Sequence, residues 1–333
     1  MTTINEIAKL SKVSAAAAYE VLHENAESTV SEETKSRIFQ AAETLNYRLT
    51  EMQMSSASNN CIHIALAILD AAGGELENPF FIALRKHVEQ ACLLNNVHIK
   101  ETIRYENINS TNKMEPLDGI IVIGRLQKND LEKLKKVSKN IVFVTDWTAD
   151  STADSTADST ADIVSIDLAQ MTELVISHLK DMGHERIGYI GASNWGQTMK
   201  EQLEKANLLP EEHIYLTEPY GTEGYRILKE AASNRKLADA YIIQSSVMSL
   251  AAIMALREEN VKIPEDVSIV SFYDVPEAHY FAPSLTAIHV SSAEIAKIAL
   301  KLLQEQVIEH RDTPLKVLVP STLKMRESTS TKQ

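Results

Sequence analysis

Residues 3–49 read TINEIAKLSKVSAAAAYEVLHENAESTVSEETKSRIFQAAETLNYRL, three helical patterns separated by two short breaks. Thr3 and Glu6 have the Thr-x-x-Glu spacing of a capping box, in which side chains satisfy the free amides of a helix start. Ile4, Ile7, Ala8 and Leu10 then supply an apolar face of about two turns. Ser11-Lys12-Val13 is a short turn, and Ser14 is placed to cap a second helix running from Ala15 to Leu22. Ser31 opens a third, with Glu32 and Glu33 in the first turn, where carboxylates suit the positive end of the helix dipole. Ile38, Ala41, Ala42 and Leu45 recur at helical spacing along it.

Two short helices joined by a three- to four-residue turn, with a third in support, form a helix-turn-helix, whose second helix enters the major groove of DNA. Periodicity alone leaves a generic three-helix bundle open. The order of residues carries more. I-x-E-I-A-K-L-x-x-V-S, then V-L, then V-S-E-E-T, then R-I-x-x-A-A-x-x-L-x-Y together resemble the head of the lactose/galactose-repressor (LacI/GalR) family. Family heads resemble V-S-x-x-T-V-S-R-V-L-N where this chain has VSAAAAYEVLH. Carried over position by position, the resemblance implies DNA contacts at Thr3, Ser14, Ala15, Ala17, Tyr19, Glu20, His23 and Ser31. Ser14 falls on phosphate, and Tyr19, Glu20 and His23 are the candidate base readers. A glutamate accepts from cytosine N4; the other reading of Glu20 has it facing solvent.

The head carries five cations against seven carboxylates, a net charge of −2, within a chain of net charge −13. Non-specific affinity for DNA comes from cations neutralising phosphates. Such a head is expected to bind weakly, or as a dimer on a well-matched site. Residues 49–60 are polar and follow as a hinge or linker. Family hinges resemble Y-x-P-N-x-x-A-x-x-L, fold as a short helix on operator DNA and insert a leucine into the minor groove. Here Tyr47 is kept, but Leu49, Thr50, Gln53 and Ser56 replace the other positions. An apolar wedge is what kinks a base step, which leaves Met52 or Met54 to serve, or a plain linker.

A chain of 333 residues with 44% hydrophobic and 24% charged residues fits two or three globular domains. Its longest apolar stretch, residues 62–72, is too short to span a bilayer, and no secretory signal opens it. Cys61 and Cys92 lack metal-type spacing and read as reduced thiols. A cytoplasmic protein without a membrane partner is expected.

From residue 61 onward, strand-like runs alternate with helical ones. CIHIALAIL is followed by NPFFIALRKHVEQACLLNN, LDGIIVIG by a charged helix, and then comes IVFVT. That alternation implies parallel sheets covered on both faces. NPFF, DGIIVIG, GHERIGYIG, PEDVSIVSF and PSTLKMRES together resemble the family's effector core, akin to a periplasmic sugar-binding protein. The expected architecture is α/β: a three-helix head at 1–48, the hinge, and a two-subdomain core at 61–333. The first subdomain is expected at 61–162 and 291–316, with IVSID opening the second at 163–290 and 317–328. Residues 148–162 are a TAD-STAD-STAD-STAD insertion whose acids fall four apart. A helix would stack those like charges, so a solvated loop is expected; calcium-hand spacing is absent. The tail TSTKQ has no apolar heptads, so a homodimer is expected rather than a tetramer.

No G-x-S-x-G, H-E-x-x-H, Walker loop or dinucleotide fingerprint is present, so neither an enzyme nor a cofactor is expected. The resemblance implies instead a repressor of a carbohydrate-utilisation operon, closest in pattern to the galactose-operon and evolved-β-galactosidase repressors. Its partners would be double-stranded operator DNA and a small effector, a sugar or glycoside. The alternative is a ligand-binding or protein-partnered regulator whose head no longer reads an ordinary operator. In the family, effector groups sit at strand C-terminal ends, where this fold places its ligands. Carried over, they fall on Asn78 and Phe81, on Thr145 with Asp146 beside it, and on Ser245 of the Ser245-Ser246 pair. Tyr273 stands where an acid is usual, followed by Asp274, which either touches ligand or caps backbone. Trp195 or Gln197 lies nearest a missing arginine, and His289 or Val290 occupies the closing-linker position.

Overall fold

The protein is described as a computed structural model. It describes residues 4–15, 17–18, 21, 31, 34, 37–38, 41, 61–69, 79–124, 128–145, 161–208, 211–218 and 220–332. The chain divides into two compact units, Met1–Cys61 and Ile62–Gln333.

In the first unit, α1 spans Ile4–Ser11. Lys12 takes a left-handed φ of 56° and breaks it. Ser14 Oγ then accepts from Ala17 N at 3.1 Å, the capping bond that starts the next helix. Ser31 Oγ accepts from Thr34 N at 3.4 Å in the same way. Ile7, Val21, Ile38 and Ala41 form the small core, with Val13 against it. Leu10, expected on the apolar face, is 50% exposed; it falls off the narrow stripe set by Ile7. Thr3, Tyr19, Glu20, His23, Leu45, the hinge with Met52 and Met54, and most of the STAD repeat lie outside the described residues.

The second unit holds two six-stranded sheets. The first is built from β1 (Ile62–Leu69), β2 (Val97–Arg104), β3 (Gly119–Gly124), β4 (Ile141–Thr145), β5 (Asp162–Ile166) and β11 (Lys316–Val319). Its order is β11-β5-β4-β3-β1-β2, and every pairing is parallel. The second is built from β6 (Ile187–Gly191), β7 (Ile214–Leu216), β8 (Ala240–Ile243), β9 (Ser268–Ser271), β10 (Thr286–His289) and β12 (Thr322–Lys324). Its order is β12-β10-β9-β8-β6-β7, parallel except for the β10–β12 pair. The near-continuous apolar strands are what sheets buried on both faces require.

Helices α2 (Pro79–Leu94), α3 (Lys128–Lys135), α4 (Leu168–Asp181), α5 (Ser193–Lys205), α6 (Gly221–Ser233), α7 (Ser246–Glu258) and α8 (Ser292–Ile308) connect the strands. Their starts follow local chemistry. Pro79 needs no amide partner at the first position of α2. Asp167, Ser245 and Ser291 accept from the backbone amides of Gln170, Met248 and Glu294 at 3.0, 3.4 and 3.2 Å. Gly183, at φ 84°, stops α4 in the left-handed conformation. Gly188 leaves room for the Tyr241 ring, whose nearest atom lies 2.5 Å from where a Cβ would stand. Two glycines of GHERIGYIG thus serve chain reversal and packing.

Two boundaries differ from the sequence reading. IVSI was expected to open the second subdomain, yet β5 pairs with β4 and β11 in the first sheet. The closing strand pair also splits, β11 joining the first sheet and β12 the second. An apolar run reads the same in either sheet, so period cannot say which edge it joins. The last acid of the repeat, Asp162, was expected in a solvated loop. It is 0% exposed and bidentate to Arg311 at 3.0 and 2.5 Å. Its partner lies 149 residues away, beyond any local pattern. Neither cysteine forms a disulfide among the described residues, and burial pushes Cys92 up to about 12, which makes it inert.

Candidate functional site

The C-terminal ends of the two sheets bring together most of the expected effector residues. Phe80 and Phe81 lie in the first turn of α2 after β1, and Thr145 closes β4. Trp195 lies in the first turn of α5 after β6. Ser245 and Ser246 open α7 after β8, and Phe272, Tyr273 and Asp274 follow β9.

An aromatic chain links these ends. The Tyr273 ring stacks on Phe80 with centroids 4.6 Å apart and planes 22° apart. Phe80 meets Phe81 edge-on at 5.6 Å. Behind Tyr273, Trp195 packs at 6.0 Å, and Trp195 also meets Phe272 at 5.2 Å. Trp195 is 0% and Tyr273 2% exposed. Trp195 therefore supports the Tyr273 ring from within the core and presents no face of its own. Tyr273 holds a left-handed φ of 62°, uncommon for a bulky side chain.

At the same ends of the strands, polar atoms are incompletely satisfied among the described residues. Thr145 Oγ1, Trp195 Nε1, Ser246 Oγ and Ser321 Oγ, the last just beyond β11, are buried with no hydrogen-bond partner among the described residues. A buried unmade hydrogen bond costs about 1–3 kcal/mol, and such atoms ask for a reason. Ser245, the carried-over residue, spends its hydroxyl on the helix cap. Ser246, beside it, holds the unused one; capping rules applied to the first residue after the strand would have found it. Phe80 was likewise passed over for Phe81, because adjacent residues at a helix start differ only in helical phase.

The remaining candidates have other duties. Asp274 pairs with Arg326 at 2.8 Å, and Arg326 Nη2 also reaches His279 Nε2 at 2.8 Å. His289 Nδ1 stands 3.9 Å from Asp274. This network ties the loop after β9 to the closing segment. Gln197 is exposed and donates to Glu201 at 2.8 Å on the helix surface. Asn78 and Asp146 lie outside the described residues.

The opposite, N-terminal ends of the second sheet hold a charge cluster. Asp239 accepts from Arg186 Nη2 at 2.7 Å, Lys332 Nζ at 2.6 Å and Arg186 N at 3.0 Å. Burial raises its carboxyl, but the Lys332 and Arg186 hydrogen bonds outweigh that and hold it well below the usual range. His184 Nε2 meets Ser330 O at 3.2 Å, and His178 Nε2 meets Thr329 Oγ1 at 3.3 Å. Burial lowers both imidazoles. These histidines fasten the C-terminal segment. Among the described residues no group of three or more ligands is arranged to hold a metal, and no helix is long and apolar enough to cross a membrane.

In the head, Ser14, Ala15 and Ser31 are exposed and Ala17 is half-buried. Ser14 and Ser31 accept capping bonds and still face solvent.

Residues 3–49 match the family model for bacterial regulatory proteins of the lacI family, and residues 176–329 match the periplasmic binding protein-like domain. The chain is 30% identical to the HTH-type transcriptional regulator GanR of Bacillus subtilis (strain 168), over 98% of this chain and 99% of that one. It is 29% identical to the transcriptional repressor MelR of the same organism, over 98% and 97%. The fold is similar to the transcriptional regulator CelR–cellobiose complex, with a TM-score of 0.69 at 19% identity, covering 98% and 100%. It is also similar to the lac repressor dimer bound to operator and an anti-inducer, with a TM-score of 0.67 at 16% identity, covering 99% of each.

Proposed function

The chain belongs to the LacI family of bacterial regulatory proteins, DNA-binding transcription regulators, and from that premise we propose that a carbohydrate or glycoside effector in its cleft controls its grip on operator DNA. The observation that carries this reading is the set of hydroxyl and indole groups unsatisfied among the described residues, together with an aromatic stack, all at strand C-terminal ends. Sugars offer hydroxyls to the first and a ring face to the second. Thr145, Ser246, Phe80, Phe81 and Tyr273 are the contacts proposed here, with Asn78 and Asp146 from the adjoining sequence. The similar CelR fold carries cellobiose, which supports a glycoside over a free hexose. Tyr273 in place of an acid favours the same class, because stacking replaces a charged hydrogen bond worth about 1.5–3 kcal/mol.

The active species is proposed to be a cytoplasmic homodimer. Two heads one helical turn apart compensate for a head of net charge −2. A gel shift on the gene's own upstream region, with galactose, lactose and an aryl galactoside added in turn, tests the whole scheme. Retardation that one glycoside alters is the expected result; no retardation at any concentration refutes it. Glu20 is proposed to read cytosine. Glu20→Ala is expected to relax one position in a selected-site experiment, and an unchanged site would remove Glu20 from the readout.

A further inference from the structure

The contact between Phe80 and Tyr273 joins the two lobes, and it bears on how the effector site proposed above is regulated. We propose that these two rings form a clasp that closes the cleft by itself, and that an effector enters by parting the stack.

Phe80 belongs to the first lobe, through α2, which follows β1; Tyr273 follows β9 of the second lobe. Their rings lie 4.6 Å apart and nearly parallel, within the range of a favourable aromatic stack. Phe80 is 7% exposed, as sealed as its partner. The backbone of Tyr273 pays for this placement: its φ of 62° lies in a region that disfavours side chains with a Cβ. Such a conformation persists where the surroundings over-determine it. Trp195 and Phe272, packed behind Tyr273, supply those surroundings from the second lobe alone. The ring is thus held ready by its own lobe and pointed at the other.

Closure also has a polar side. Thr145 Oγ1 on the first lobe, and Trp195 Nε1 and Ser246 Oγ on the second, are shut in without partners among the described residues. The clasp gains aromatic contact while these groups go unsatisfied. A ligand that brings hydroxyls reverses both terms, so it competes with the clasp. Its apparent affinity is then reduced by the fraction of protein in which the clasp is open.

The test uses the full chain with Trp147→Phe, so that emission reports Trp195. Phe80→Ala and Tyr273→Leu are made separately in that background, one on each lobe, so loss of fold in one leaves the other. Both are checked by circular dichroism and compared without sugar for acrylamide quenching of Trp195. Calorimetry with p-nitrophenyl galactoside follows. The clasp requires Trp195 quenching to rise several-fold. Glycoside affinity should stay within about threefold, because opening the clasp offsets the ring contact that each variant loses. Unchanged quenching in a folded variant overturns the clasp. Raised quenching with glycoside binding weakened about tenfold or more also overturns it, since the rings would then serve the ligand alone and opening would return nothing. If no form binds any glycoside of the panel, the carbohydrate reading fails, and the sugar-free quenching still decides the clasp.

Discussion

At the N-terminal ends of the core strands, carboxylates are held by backbone amides and cations. Asp118, before β3, accepts from His63 N at 2.7 Å. Asp162, opening β5, accepts from Arg311 and from Leu315 N at 2.7 Å. Asp239, before β8, accepts from Arg186 and Lys332. At the C-terminal ends hydroxyl and indole groups take their place: Thr145, Trp195 and Ser246 keep buried polar atoms without partners among the described residues, whereas the N-terminal ends hold their carboxylates and leave open only ring nitrogens of His184 and His213 and the amide oxygen of Gln306. Both ends belong to the same sheets, so the difference is one of use. A saturated end contributes stability, whereas an unsaturated one gives it up and is ready to bind.

The contrast breaks most easily at Asp162. Removing one partner of a buried ion pair leaves an uncompensated charge, at a cost of about 3–5 kcal/mol. Asp162→Ala leaves the Arg311 guanidinium, 18% exposed, with Glu305 at 3.1 Å and the carbonyls of Leu302 and Thr313, and leaves Leu315 N without its acceptor. Because Glu305 still compensates part of that charge, urea denaturation is expected to show a loss towards the lower end of that range, with the slope unchanged. A loss below about 1 kcal/mol would mean that the saturated end does not carry the stability ascribed to it.

At the unsaturated end the sign should reverse. Thr145→Val and Ser246→Ala each delete a hydroxyl that bonds nothing among the described residues. Deleting a buried orphan removes its desolvation penalty, so each variant should be stabilised by about 1 kcal/mol while losing glycoside affinity. Denaturation and calorimetry on the same samples separate the two effects. Destabilisation by more than about 1 kcal/mol in both would show that the hydroxyls are satisfied after all, and the contrast between the ends would collapse.

Sequence legibility divides along the same line. The βα alternation, the helix caps at Ser14 and Ser291, and the strand ends that carry Thr145 and Tyr273 all follow from local rules of period and capping. Phe80 against Tyr273 does not: the two are far apart in the chain, and nothing local tells which of two adjacent phenylalanines turns toward the other lobe. Asp162 was misread for the same reason, since its low-complexity neighbours resemble it while its partner is Arg311. Trp195 was legible as a residue near the site. Its role as an internal support was not, because burial depends on what packs over it.

The smallest expected effect concerns protons at the saturated end. His184 is buried beside Asp239, Lys332 and the second imidazole, His178, with Glu265 and Asp266 lining the same hollow of about 220 Å³. Burial lowers His184 from 6.5, Lys332 lowers it further, and the Ser330 carbonyl and Asp239 only partly offset that. The folded protein thus resists a proton that the unfolded chain accepts near pH 6.5. By linkage the stability from neutral His184 is complete above that pH and is lost as pH falls towards the lower folded value. Urea midpoints are therefore expected to drop between pH 7.5 and 5.5, and His184→Gln should shrink that drop. His178, lowered by burial and by His184, should lose part of its own shift in the same variant. An equal drop in wild type and His184→Gln would show that the imidazole titrates freely, and that this end of the sheet is not sealed.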